Sequence, residues 1–171
     1  MVSCILPIKR PSLVSRALLC YFHQDYLDKE LVIYEAKGLG GAAMNEGCRR
    51  AQGDIICYFC DDDFSQPGRI TRQVKDLTGF EVTAFYNTVY YDGGSTERNK
   101  LDRSGEESGY SLCFRKAWWE KHPFDETIRL GYCKKFRDEA RTAGVLNRTF
   151  GGDLIIAGKH LYQTSWGAGR Y

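Results

Sequence analysis

The chain has 171 residues, 43% hydrophobic and 27% charged, with a net charge of +2. This is enough for one domain that buries roughly 70% of its unfolded surface, and the balance excludes a disordered chain and a strongly basic nucleic-acid binder. No apolar run approaches the ~18 residues of a membrane span. Seven cysteines without paired spacing, and an N-terminus unlike a secretory signal, point to the cytoplasm of a cell or of a virus-infected host.

In chain order, "VSCILPI" reads as a buried strand that Pro7 breaks at a turn. "PSLVSRALLCYFHQ" predicts a helix entered through Pro11 and Ser12, and "ELVIYEA" a second strand. "KGLGGAAMNEGCRRAQG" opens on glycines and predicts a helix over about 42–51, closed by Gly53. "DIICYFC" is a third strand. This alternation implies a mostly parallel sheet flanked by helices, a Rossmann-like α/β domain. Beyond it come a helix in "SQPGRITRQVKDL", a strand in "EVTAFYNTVYYDGG" and a polar, glycine-containing stretch at 93–109 with the composition of a mobile loop or lid. Helices in "RKAWWEK" and "GYCKKFRDEARTAG" and a strand in "DLIIAG" complete the chain. No repeat or linker divides it, so a single domain over 1–171 is expected.

Asp61, Asp62 and Asp63 follow the third strand directly. Adjacent carboxylates disfavour one another's ionisation, and ligands in parallel sheets bind at the carboxyl ends of strands. A divalent cation, Mn2+ or Mg2+, offsets the repulsion and suits oxygen ligands. Asp61 and Asp63 would share a direction if strand geometry persisted. The plainer alternative is a solvated acidic turn, or a cap on the helix beginning near Pro67. The preceding glycines suit an anion-binding helix N-terminus or an ordinary tight turn. Cys57 and Cys60 form a C-x-x-C inside the strand; without a second such pair they read as small core residues.

Taken together, these segments resemble family 2 glycosyltransferases with the A-type nucleotide-diphospho-sugar fold. "VSCILPIKRPSLVSRALLCYFHQDYLDKELVIY" is similar to that family's opening strand, helix and second strand. "GLGGAAMNEGCRRAQGDIICYFCDDDFSQPGRI" is similar to its Gly/Ala-Asn-Gly helix and D-x-D motif, "GYSLCFRKAWWEKHPFDETIRLG" to its acceptor-side segment, and "KHLYQTS" to its closing His element, with Gln163 for an asparagine. The resemblance implies transfer of a sugar from a nucleotide-diphospho-sugar, a UDP-sugar being favoured, to a glycan or other hydroxyl acceptor, with inversion. It places a nucleotide-binding half at 1–70 and an acceptor-side half at 80–171. It assigns Pro7 and Ile8 to the base, Glu35, Gly40, Asn45, Asp61 and Asp62 to the nucleotide, and Asp61, Asp63 and His160 to the metal.

Two departures stand out. Tyr132 and Cys133 occupy the place of the family's Glu-Asp, whose acid is the general base, and a neutral phenol or thiol is a poor base for an alcohol. Asp125, Glu126, Asp138 or Glu139 could replace it; the acceptor could be more acidic than a sugar alcohol; or the protein could be a non-catalytic sugar-nucleotide or glycan-binding module. A nucleotidyltransferase is disfavoured because "PIKRPS" carries no glycine run. The second departure is brevity, which leaves the acceptor on a shallow surface or completed by a partner or second copy. Trp118, Trp119 and Trp166 are candidates for stacking on sugar rings, core packing being expected for at least one of the first two.

Overall fold

The computed structural model describes residues 1–92, 100–101 and 105–159. Its first half alternates β1 (Val2–Ile8), α1 (Val14–Phe22, entered through a 3-10 turn at Pro11–Leu13), β2 (Lys29–Glu35), α2 (Gly40–Arg50) and β3 (Ile55–Tyr58). β1 pairs in parallel with both β2 and β3. It runs through Pro7 instead of breaking there. Ile5 O accepts from Phe59 N–H on the β3 side and Ile8 O from Ala36 N–H on the β2 side. By alternation Pro7 faces past the end of β3, where its missing N–H costs no ladder bond.

The second half comprises β4 (Phe64–Ser65), α3 (Arg69–Asp76), β5 (Val82–Asp92), β6 (Lys100–Leu101), β7 (Cys113–Arg115), α4 (Lys116–Lys121), α5 (Tyr132–Thr142) and β8 (Leu146–Lys159). The sheet runs β2-β1-β3-β7-β5-β8-β4, with β6 beside β5. Its three long ladders, β1–β2, β1–β3 and β5–β8, are parallel, so most of the pairing is parallel as expected. Short antiparallel joins through β7 connect the halves. β8 begins at Leu146, ahead of the apolar run that announced it.

Both faces of the sheet are covered. Cys4 and Leu6 pack with Ala17, Tyr21 and Ile70 under α1 and α3. Ile5 points the other way, into a core with Met44, Phe114, Phe124 and Phe136 under α2 and α5. There Phe136 lies 4.9 Å from Phe114 and 4.3 Å from Phe124, ring centre to ring centre. Trp118 and Trp119 are each 9% exposed and belong to this core. Trp118 stacks on His122 and Trp119 Nε1 donates to Asn45 Oδ1. Trp166 falls outside the described residues.

The helix glycines serve close packing. A Cβ on Gly41 would come 2.1 Å from the backbone oxygen of Asp125, and one on Gly40 would meet the Tyr132 ring at 2.1 Å. α2 therefore lies directly against the 125–132 segment, bringing its N-terminus to the sheet end where the acids stand.

Candidate functional site

β3 ends at Tyr58, and Asp61 and Asp62 form a turn before β4. Strand geometry therefore does not carry through the acids: Asp61 and Asp62 meet on Arg10, and Asp62 and Asp63 gather with Cys60. Arg69, only 1% exposed, fixes this turn from beneath. It donates to Ser65 Oγ at 2.7 Å, Gln73 Oε1 at 3.1 Å, Tyr58 O at 2.5 Å and Tyr110 O at 3.2 Å.

Asp61 turns toward the loop after β1. The backbone N–H groups of Lys9 and Arg10 donate to its Oδ2 at 2.8 and 2.7 Å, and Arg10 Nη2 donates to Oδ1 at 2.5 Å. The same guanidinium lies 2.8 Å from Asp62 Oδ1. Asp63 accepts from Gly158 N–H at 3.2 Å. All three acids are buried, at 2%, 5% and 7% exposure. Donor atoms of Cys60, Asp62 and Asp63 lie within 4.8 Å of one another. Burial and the neighbouring charge of Asp62 push the Asp63 carboxyl up to about 7, and burial with both Asp charges also raises the Cys60 thiol. Buried, mutually repelling oxygen donors fit a divalent cation, which would relieve both penalties.

The acids line a cleft of about 480 Å³, within the usual range for small-molecule sites. Pro7 and Arg10, Gly40 and Met44 of α2, and Tyr110, Tyr132, Cys133 and Arg137 line it with them. Burial pushes Cys133 up to about 12 and raises Tyr132 as well, so neither is a base at neutral pH.

Pro7, Gly40 and Asp61 to Asp63 thus meet in one cleft, while other expected residues lie elsewhere. Asn45 is 3% exposed, and its amide donates to Phe124 O and Glu126 Oε1 while accepting from Trp119 Nε1 and Phe124 N–H. It is a structural pin between α2 and the segment before α5. Ile8 and Glu35, the paired last residues of β1 and β2, are not among the cleft residues, and Glu35 is exposed. None of the four candidate bases lines the cleft. Asp125 accepts from Thr127 and Lys135, contacts that hold its carboxyl well below the usual range. Glu126 is taken by Asn45, Asp138 by Lys134 and Arg141, and Glu139 lies near His122. His160 falls outside the described residues, as does most of the expected lid. The end of that stretch is packed, with Glu107 and Ser108 buried at 5% and 7% exposure.

The sequence reading missed Cys60 as a cleft residue, Arg10 as the partner of the acids, and Glu107 with Arg137. A basic residue two or three positions after a strand whose neighbour ends on acids was the available signal for Arg10. Among the described residues, no helix is long and apolar enough to cross a membrane.

This architecture is shared with known proteins. The glycosyl transferase family 2 profile matches residues 14–148, and the chain belongs to that family. Residues 1–349 of S. aureus TarS superpose with a TM-score of 0.71 at 11% identity, covering 92% of this chain and 60% of that one. The same TarS fragment in complex with UDP-GlcNAc gives 0.70 at 12% identity, covering 95% and 60%. The mannosyltransferase PcManGT of Pyrobaculum calidifontis, in complex with GDP-Man and Mn2+, gives 0.67 at 12% identity, covering 95% and 58%. The chain therefore spans about 60% of the length of these structures. No curated protein matched the chain in sequence.

Proposed function

We propose that this domain transfers a sugar from a nucleotide-diphospho-sugar, UDP-linked by preference, to a hydroxyl acceptor with inversion. The observation that carries this reading is the Cys60–Asp62–Asp63 group on the cleft, its two acids buried, in a chain whose structural neighbours include complexes with UDP, UDP-GlcNAc and GDP-Man. Asp62 and Asp63 would hold a divalent cation, Mn2+ or Mg2+, through their carboxylate oxygens, with the Cys60 sulfur beside them as a softer donor. The ion would stabilise negative charge developing on the departing nucleoside diphosphate.

The chain's own residues do the rest. Arg10 neutralises Asp61 and orders the loop after β1, setting Pro7 beside the nucleotide. Tyr132 and Cys133 line the cleft and exclude water without exchanging protons. Apart from the acid turn, the carboxylates on the cleft among the described residues are Glu106 and Glu107. Of the two, Glu106 is the exposed one, and it takes the proton of the acceptor hydroxyl. Fold likeness alone does not establish an activity. The test is release of UDP from UDP-sugars by the full chain with Mn2+. Turnover lost in EDTA and in Asp63→Ala supports transfer. Nucleotide binding without turnover, to any acceptor or to water, favours the binding module that Tyr132 and Cys133 suggest.

A further inference from the structure

β2 lies at one end of the sheet: it pairs with β1, and among the described residues no strand lies on its other side. At the two ends of the β1–β2 ladder, Val2 N–H donates to Asp28 O and Ala36 N–H donates to Ile8 O. A strand residue sends its N–H and C=O to one side, and the side alternates along the chain. Residues 30, 32 and 34 therefore bond β1, while Leu31, Ile33 and Glu35 direct their backbone groups away from the sheet. Among the described residues nothing pairs with those groups.

The side chains are sorted in the same way. Val32 and Tyr34 are buried in the core under α2. By alternation Lys29, Leu31, Ile33 and Glu35 share the opposite face. Ile33 is 44% exposed, and Leu27, two residues ahead of the strand, is 90% exposed. An edge with open backbone groups and exposed apolar side chains is a template for another strand. No proline interrupts β2, and its pairing with β1 runs without a bulge.

The charges of this edge select the strand that fits it. Its outer face reads Lys29, Leu31, Ile33, Glu35, positive at one end and negative at the other. Run antiparallel, that pattern is complementary to itself. With a two-fold axis at Val32, Lys29 of each copy stands opposite Glu35 of the other, and Leu31 opposite Ile33. Parity agrees, because Leu31 and Ile33 both present outward backbone groups and so form hydrogen-bonded pairs on either side of the axis. A slip of two residues sets Glu35 against Leu31, or Lys29 against Ile33, and loses both charge pairs. Lys29 Nζ donates to Gln24 O and Tyr26 O, which leaves its third N–H for a carboxylate. Glu35 is exposed and makes no ion pair among the described residues.

We propose that the β2 edge is the interface of a two-fold dimer, in which two copies of this chain join antiparallel into one continuous sheet. None of the cleft residues is on β2, so the inference stands apart from the transferase reading.

The experiment is sedimentation velocity of the full chain over a dilution series. The account expects a species of twice the 19.5 kDa chain mass that dissociates on dilution. Glu35→Lys sets lysine against lysine at both ends, and Ile33→Lys puts a charge in the apolar centre; each weakens the dimer at least about tenfold. Lys29→Glu alone does the same. An equimolar mixture of Lys29→Glu and Glu35→Lys restores a dimer, because every facing pair is again opposite in sign, and this rescue is specific to the register centred on Val32. A chain that is monomeric at every concentration, or that assembles beyond a dimer, overturns the proposal. So does a dimer that Glu35→Lys and Ile33→Lys leave intact, or a mixture of two folded variants that fails to associate. Should Lys29→Glu not fold, having lost its bonds to Gln24 and Tyr26, the other two variants decide alone.

Discussion

Asp63→Asn should stabilise the metal-free protein, and by an amount that grows with pH. Asp63 is 7% exposed, and burial with the charge of Asp62 pushes its carboxyl up to about 7. The unfolded chain releases the same proton near about 3.9. The folded state therefore binds the proton more tightly, so the contribution of this group is fully present below about pH 4 and is lost as pH rises through about 7. Each pH unit between those values is worth about 1.4 kcal/mol, so from about pH 5 to pH 7 the wild type loses about 3 kcal/mol relative to a variant with no titrating group there. Asparagine keeps the Oδ1 that accepts from Gly158 N–H and carries no charge. For a chain of this size the loss corresponds to a melting-point difference that widens by about 6–10 °C. Melting of wild type and variant in EDTA at pH 5, 6, 7 and 8 reads it directly. A difference that stays constant with pH, or a variant less stable at pH 8 than at pH 5 relative to wild type, would refute the reasoning.

Other outcomes follow from the same geometry. Metal binding must displace the Asp63 proton, so affinity for Mn2+ should rise about tenfold per unit as pH increases toward about 7 and level off above it; a pH-independent titration would contradict this. Cys60→Ser should weaken Cd2+ more than Mg2+, because only the thiol distinguishes soft from hard ions, and an equal loss for both would remove sulfur from the donor set. Arg69→Met strips the bonds to Ser65, Gln73, Tyr58 and Tyr110 and should cost about 3–5 kcal/mol in chemical denaturation; a cost below about 1 kcal/mol would show that the turn holds itself. Glu106→Gln should lower kcat about 100-fold or more with nucleotide affinity unchanged, and an active variant would assign the proton elsewhere.

The first five elements were legible because apolar runs and helical spacing met boundary residues: the continuous buried run of β1, the glycines opening α2, and Gly53 closing it. The location of the acid turn was legible for the same reason, since an apolar run that stops on carboxylates marks a strand end. Which acid does what was not. The rule that residues two apart share a direction fails once β3 ends at Tyr58 and the chain turns, and Arg10, which claims Asp61 across 51 positions, leaves no local pattern. Asn45 matched a motif but spends its amide on Phe124, Glu126 and Trp119. β7 is only three residues long, too short for any period, yet it joins the two halves of the sheet. Glu107 and Arg137 stand 30 positions apart, and their meeting depends on β5 and α5 being placed first.

Calorimetric titration of the full chain with UDP, GDP, CDP and dTDP, in Mn2+, in Mg2+ and in EDTA, tests the central claim most directly. The account predicts one preferred diphosphate, UDP, whose binding disappears in EDTA and in Asp63→Ala. Binding that survives in both, or no binding of any of the four by a folded protein, would contradict the assignment of Asp62 and Asp63 to a metal that holds a diphosphate.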